Sequence, residues 1–398
     1  MKRARDITCG DHVMPRFRSG TPDTAEPLDA TRTEKMKTLI TIILISLIGN
    51  IEAQNTMTNI DTLYNSYLKK LNDVRSNTNL LNNYSFHLNK SNHYERLKLN
   101  IALANDFNRD DYHISKYLFE QEFEWRKSQN YFEEESGEVD NLYFSALVLS
   151  RYNQPETIIK FIQTKSIDFD SQIGFDSEYL FTNGITNTYE YALTCEEETK
   201  ELIYKQIGND AHKSGFSEED IENWKGFKHE YFENYMIPVK NEMWFLYSVK
   251  EKEVLQNVYE KWVIDKKDWT IEDVHKYITY SKYLSEKSHL VNAHEMKIEL
   301  ENKPIEEQPY RYYGLIKAYS NNNNPEGSLK LITQIIPLLE RKNQKRQLIE
   351  IACNTVLENP HAKESETLFE IIKRETKEHG FFSQNIDELI IEIEATMK

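Results

Sequence analysis

The chain has 398 residues, 65 of them acidic and 49 basic, so its formal net charge is −16 at pH 7. This surplus of negative charge disfavours binding to nucleic acid or to an anionic membrane surface, because both are negatively charged themselves. Glycine and proline are scarce, with 12 and 10 residues, whereas aromatic residues make up 12% of the chain. Few turn-forming residues among many helix-forming ones predict an all-α protein whose helices are joined by short loops.

The first 35 residues differ in composition from everything that follows. Residues 1–35 hold five of the chain's 14 arginines, together with glycine, proline and threonine at the density of a loop. Because this leader has too few apolar residues to offset the entropy of ordering, we expect it to be disordered. Two interpretations remain open. In the first, Met36 is the true first residue, and the leader results from a start codon assigned too far upstream or was added in cloning. In the second, the leader is a genuine extension ahead of a membrane anchor.

Residues 36–53 have the features of a secretory signal peptide. Lys37 provides the positive start, an apolar run from Thr38 to Gly49 follows, and the small residue Ala53 precedes a predicted cleavage at Gln54. The apolar run is shorter than the roughly 20 residues that a membrane-spanning helix needs. The sequence therefore predicts an extracytoplasmic protein, secreted or periplasmic, with no membrane anchor in the mature chain.

Beyond the signal peptide, helical periodicity dominates. We expect residues 54–138 to form an N-terminal helical region and residues 139–398 a region of helical repeats. The clearest single helix is predicted over Ile271–Leu284, where apolar residues recur at i, i+3 and i+7. Thr270 with Asp273, like Ser217 with Asp220, has the spacing that marks the start of a helix.

Two segments that lie 170 residues apart are similar to each other. Ser150–Ile162 reads SRYNQPETIIKFI and Ser320–Ile332 reads SNNNNPEGSLKLI, with six of thirteen positions identical. Each predicts a polar turn followed by a helix. Pro155 and Pro325 are expected in the first helical turn, where the N–H that proline lacks would be unpaired in any case.

The segment Tyr312–Pro337, YYGLIKAYSNNNNPEGSLKLITQIIP, resembles a tetratricopeptide repeat. Its small, apolar and aromatic residues stand where the two helices of such a repeat pack together; they are Leu315, Ala318, Tyr319, Leu329, Ile332 and Ile335. The resemblance is best over residues 270–378, and the separation of 170 residues is five times the 34-residue period of the family. Ser328 stands where alanine is usual and Asn323 where glycine is usual. The resemblance implies antiparallel helix hairpins that stack into an α-solenoid.

The same resemblance implies a binding surface, because the first helix of each such hairpin tends to line the concave side. Tyr310, Tyr313, Lys317 and Asn321 would then face the groove and contact a peptide. Tyrosine suits this role, since it brings a large contact area and a polar tip at little cost in rotamer entropy. Packing between helices is the alternative role for the two tyrosines.

No catalytic or metal-binding motif is complete. Two His-Glu pairs, at 229–230 and 294–295, begin like the helix of a zinc protease, but Glu233 and Ile298 stand where the second histidine is required. The two cysteines of the mature part, Cys195 and Cys353, are too far apart in sequence to decide whether they pair. We therefore predict no enzyme, no cofactor and no metal, but a scaffold that binds a peptide or protein. The alternative is an extracytoplasmic all-helical enzyme, or a small-ligand binder with an acidic and aromatic pocket.

Overall fold

The structure, a computed structural model, describes residues 60–86, 92–128, 139–237, 240–380 and 383–397. The predicted leader and signal peptide lie outside these residues. The regular structure of the described residues is helical throughout and includes no strand, which confirms the predicted all-α class. No helix among them combines the length and the apolar composition that a bilayer crossing requires.

The helices follow one another with short connections, several of which contain a turn of 3₁₀ helix. In chain order they are α1 (residues 60–76), α2 (His93–Asn105), α3 (Tyr112–Lys127), α4 (Val139–Ser150), α5 (Thr157–Lys165), α6 (Phe169–Gly174), α7 (Ile185–Thr194), α8 (Glu197–Ile207), α9 (Glu218–Tyr231), α10 (Glu233–Met236), α11 (Glu242–Ser248), α12 (Lys252–Asp265), α13 (Ile271–Leu284), α14 (Lys287–Glu301), α15 (Tyr313–Asn321), α16 (Pro325–Ile335), α17 (Lys342–Glu358), α18 (Lys363–His379) and α19 (Gln384–Thr396).

Local sequence signals placed several helix starts correctly. Helix α13 spans the predicted Ile271–Leu284, and a complete capping box of Thr270 and Asp273 opens it. A second complete capping box, formed by Ser217 and Asp220, opens α9. In both boxes the hydroxyl accepts a backbone N–H of the first turn while the carboxylate accepts the N–H of the capping residue, so two otherwise unpaired donors are satisfied.

Neighbouring helices stack in pairs, as the solenoid-like class predicts. Helix α13 packs against α14, α15 against α16, and α17 against α18. The pairs then contact one another through α14 with α15, α15 with α17, and α16 with α18. Helix α4 packs against α2 and α3.

The two similar segments also share an unusual backbone conformation. Asn153 and Asn323, which align with each other, have φ values of 50° and 55°, in the left-handed region. Glycine adopts this region most easily, and asparagine is one of the few other residues that tolerate it. Pro325 is the first residue of α16, as predicted, whereas Pro155 lies in the turn before α5 begins.

Buried apolar side chains form two large cores. The first belongs to α1–α14, which we call the N-terminal body, and runs from Tyr67 to Ala293. The second belongs to α15–α19, which we call the C-terminal array, and runs from Ile316 to Ile393. A small cluster of Val291, Leu315 and Ala318 lies at the junction of α14 and α15.

Candidate functional site

The four residues predicted to face a peptide lie on α15 and in the turn before it. Tyr310 is 47% exposed, and Lys317 and Asn321 are exposed on α15. Tyr313 is half-buried against the C-terminal core, and its hydroxyl donates to the Gln344 carbonyl oxygen at 2.9 Å. Three of the four side chains therefore form an exposed stripe, and Tyr313 has the helix-packing role that was the alternative for the tyrosines.

A cavity of about 440 Å³ lies where the C-terminal ends of α13, α15 and α17 meet the first turns of α14. We call it the turn-edge cavity. Its wall consists of Ser281, Lys282, Ser285, Glu286, Lys287, Leu290, Ser320, Asn321, Asn323 and Glu358. Its volume falls within the range of about 300–1,000 Å³ that is typical of ligand pockets. Asn321 is the predicted site residue that the structure brings into this wall.

Two left-handed residues shape the turn-edge cavity. Ser285, with φ of 66°, ends α13, and its N–H donates to the carbonyl oxygens of Lys282 and Ser281. Asn323, with φ of 55°, follows the end of α15, and its N–H donates to the Ser320 carbonyl oxygen at 3.0 Å. A residue in this conformation reverses the chain just beyond a helix and pairs carbonyls that the helix leaves open. The polar turns therefore present side chains, rather than bare helix ends, to the cavity.

Glu358 is the acidic centre of the cavity. The Ser320 hydroxyl donates to its Oε2, and the Asn321 amide, oriented with its nitrogen towards the carboxylate, lies 3.1 Å from both carboxylate oxygens. No ion pair to Glu358 occurs among the described residues. Neutral donors alone hold this carboxylate, so its negative charge remains available to a partner.

The rest of the wall offers both signs of charge. Glu286 accepts a hydrogen bond from the Gln256 amide at 3.0 Å. Lys282 and Lys287 reach the same cavity, and the described residues provide neither of them with an ion pair. Donors and acceptors are therefore interleaved over one small surface, as the main chain and polar side chains of a peptide require.

A buried polar network in the N-terminal body was not predicted from the sequence. His93 Nδ1 lies 2.9 Å from Glu122 Oε2, Arg96 Nε donates to Glu122 Oε1 at 2.5 Å, and the Asn141 amide nitrogen lies 2.6 Å from His93 Nε2. Burial by itself raises the pKa of the Glu122 carboxyl, but Arg96 and His93 outweigh burial and hold that pKa below its ordinary value. His93, Arg96 and Glu122 are completely buried and Asn141 nearly so. The network therefore ties α2, α3 and α4 together instead of facing a substrate.

Metal-binding clusters and reactive cysteines are the remaining candidates for reactive chemistry. The described residues contain no group of three or more His, Cys, Asp or Glu side chains that could hold a metal ion. Cys195 and Cys353 are both free thiols. Burial raises the pKa of the Cys353 thiol to about 12, so this side chain stays protonated and unreactive at neutral pH.

Comparison of this chain with protein-family models, with curated proteins and with solved structures finds no match.

Proposed function

We propose that this chain is a helical-repeat scaffold related to tetratricopeptide repeats, which binds a peptide or protein partner and carries out no chemistry of its own. The observation that supports this most is the continuity of two surfaces. The exposed stripe of Tyr310, Lys317 and Asn321 leads into the turn-edge cavity, because Asn321 belongs to both.

The exposed stripe and the turn-edge cavity would contact different groups of the partner. Tyr310 offers a rigid aromatic contact, and side chains of this kind dominate the binding energy of many interfaces. Lys317 adds a charge that favours an acidic residue in the partner. In the cavity, the amides of Asn321 and Asn323 each combine a donor with an acceptor and so match the main-chain N–H and C=O of an extended peptide. Glu358 then selects a donor, such as a lysine side chain, that enters the cavity.

A peptide selected from a displayed random library against the full chain tests this proposal. Its affinity is measured by fluorescence anisotropy for the parent chain and for Tyr310→Ser, Lys317→Gln and Glu358→Gln. We expect Tyr310→Ser to weaken binding about tenfold, equivalent to about 1.4 kcal/mol, and the other two variants to weaken it less.

Matched controls separate the stripe from the general surface. Tyr231→Ser removes a tyrosine that is 53% exposed on α9, and Lys330→Gln removes an exposed lysine from α16, the second helix of the same hairpin as Lys317. Both controls should bind the peptide as the parent chain does. Equal losses in the controls, or a library that yields no binding peptide, would contradict the proposal.

We also propose that the scaffold works outside the cytoplasm, on the strength of the signal-like residues 36–53. Mass spectrometry of the natively expressed protein tests this. We expect a mature N-terminus near Gln54, and a protein that retains Met1 would overturn the extracytoplasmic assignment while leaving the binding proposal intact.

A further inference from the structure

A second cavity, of about 340 Å³, lies in the N-terminal body between α4, α9 and the end of α2. It shares no lining residue with the turn-edge cavity. Its floor is apolar, because Phe107, Met236 and Leu147 of α4 line it over the almost fully buried Phe144 and Val148. We call it the amphipathic cavity. Its volume suits a small molecule rather than a folded partner.

The ionisable side chains that line the amphipathic cavity are all basic. Arg151, Lys225 and His229 line it, and no acidic side chain does so among the described residues. Lys225 and His229 are four residues apart on α9 and therefore project from the same face of that helix. In a chain with 65 acidic and 49 basic residues, this local reversal of sign is evidence that the cavity suits an anion.

Arg151 is the strongest anion-binding group of the three. Its Nη1 donates to the Ala104 carbonyl oxygen at 2.6 Å, and its guanidinium carbon lies 4.7 Å from the centre of the Phe107 ring. No carboxylate among the described residues forms an ion pair with it. Loss of hydration lowers the pKa of this guanidinium, and only Tyr152 acts in the opposite direction. The cation is thus positioned by a carbonyl and an aromatic ring, with further N–H donors left for an anion.

Lys225 is the one basic group of this cavity that has an ion pair among the described residues, and that pair is exposed. Its ammonium lies 2.7 Å from the Glu222 carboxylate, and 70% of that glutamate side chain is exposed. Exposed pairs of this kind contribute at most about 1 kcal/mol, so an anion in the cavity competes with Glu222 on favourable terms.

We propose that the amphipathic cavity binds a medium-chain fatty acid, with the acyl chain on the α4 floor and the carboxylate on the Arg151 guanidinium. A guanidinium matches a carboxylate through two parallel N–H donors, which a lysine cannot reproduce. Each buried methylene of the chain adds about 0.8 kcal/mol, so the apolar floor contributes affinity that a free inorganic anion cannot gain. This inference is independent of the proposed peptide site, and either can fail alone.

Calorimetric titration of the full chain with decanoate, below its micellar concentration, tests the inference. Decan-1-ol and decyltrimethylammonium serve as ligands with the same chain but no charge or the opposite charge. We expect one decanoate to bind per chain, decanol to bind at least about tenfold more weakly, and the cation not to bind. Arg151→Gln should weaken decanoate binding about tenfold, and Arg151→Lys should restore part of it.

A double variant keeps the test valid if Arg151→Gln unfolds the chain. Lys225→Gln with His229→Gln removes two basic groups from α9 without disturbing the contact to Ala104, and should weaken decanoate binding several-fold. The matched control is Lys276→Gln with His275→Gln on α13, where Lys276 pairs with the exposed Glu272 as Lys225 does with Glu222, and it should leave decanoate binding unchanged. Equal affinity for decanol and decanoate, full affinity in the α9 double variant, or displacement of decanoate by the selected peptide would each overturn the inference.

Discussion

The N-terminal body and the C-terminal array are both all-helical, but different side chains hold them together. The core of the N-terminal body is rich in rings, such as Phe175 and Tyr179, which stack at 4.4 Å between centroids. The core of the C-terminal array is aliphatic apart from Cys353 and Phe369. A fully buried ion pair, Arg96 with Glu122, lies in the N-terminal body. The N-terminal body thus depends on the orientation of ring and polar contacts, whereas the C-terminal array depends on how well its aliphatic side chains fill the core.

This contrast has consequences for mutation. An aliphatic core tolerates swaps that conserve volume, whereas a buried polar network loses much of its stability when one member is removed. All five tryptophans of the chain lie between residues 125 and 269, within the N-terminal body. Tryptophan fluorescence therefore reports on that body alone, while circular dichroism reports on the helices of both regions, and together they distinguish the two in one experiment.

The largest expected effect comes from the buried network. Arg96→Met leaves the Glu122 carboxylate buried without its main partner, and we expect the free energy of unfolding to fall by about 3–5 kcal/mol. Urea unfolding followed by tryptophan fluorescence measures this loss. Lys373→Met, which breaks an ion pair between two exposed side chains of the C-terminal array, Lys373 and Glu370, should cost at most about 1 kcal/mol in unfolding followed by circular dichroism. Similar losses in the two variants would remove the contrast between the regions.

The next effect is a pH dependence of the stability, and it comes from His294 at the junction of the two regions. Burial, with a smaller contribution from Lys297, lowers the pKa of His294 on α14 from 6.5 to about 4. The unfolded chain therefore takes up this proton at a higher pH than the folded chain. The contribution of neutral His294 is complete above pH 6.5 and is lost as the pH falls towards 4.

His294→Gln removes this titration. Between pH 7 and pH 4.5, we expect the parent chain to lose about 2 kcal/mol more unfolding free energy than the variant, after allowance for partial solvent screening. Urea unfolding at a series of pH values gives the two profiles. His275→Gln, at an exposed position on α13, should follow the parent chain. If the His294→Gln profile also runs parallel to that of the parent, burial of His294 does not cause the loss of stability at low pH.

A smaller effect concerns the close contact of α14 with α15. A Cβ on Gly314 would overlap with Cε1 of His294, so Gly314→Ala overfills this contact and should cost about 1–3 kcal/mol. Gly226 on α9 has open space where its Cβ would be, and Gly226→Ala should stabilise the chain by about 0.5–1 kcal/mol. Melting temperatures that shift in opposite directions in the two variants would support a tight contact of α14 with α15. A stabilising Gly314→Ala would disprove it.

The smallest effect tests what the two regions share. Asn153 and Asn323 both have left-handed backbones, so replacement by alanine should cost about 1 kcal/mol at either position, and replacement by glycine should be nearly neutral. Denaturation midpoints of the four variants measure this. Unequal penalties would show that the surrounding core, rather than the turn itself, sets the cost of this conformation.

The sequence by itself determined the features that depend on neighbouring residues. The capping box of Thr270 and Asp273 and the helix after it were predicted to the residue, because their hydrogen bonds join groups three positions apart. The similarity of the turns at Asn153 and Asn323 was also visible, since a turn is specified by a few consecutive residues. The all-helical class followed from composition and periodicity.

The predicted site shows where this local reasoning ends. The resemblance to a tetratricopeptide repeat predicted that Tyr310, Tyr313, Lys317 and Asn321 face a groove. The position of α17 decided that Tyr313 is half-buried instead. The amphipathic cavity had no sequence signal, because Arg151 and Lys225 meet only through the packing of distant helices.

Tertiary structure alone decided which polar residues are buried together. His93 bonds to Glu122 across 29 residues and to Asn141 across 48, and no local pattern marks such a set. The physical reason is that backbone hydrogen bonds and helix periodicity act over a few residues, whereas burial and charge pairing depend on which helices come into contact. The sequence therefore specified the helices, and their packing produced both cavities.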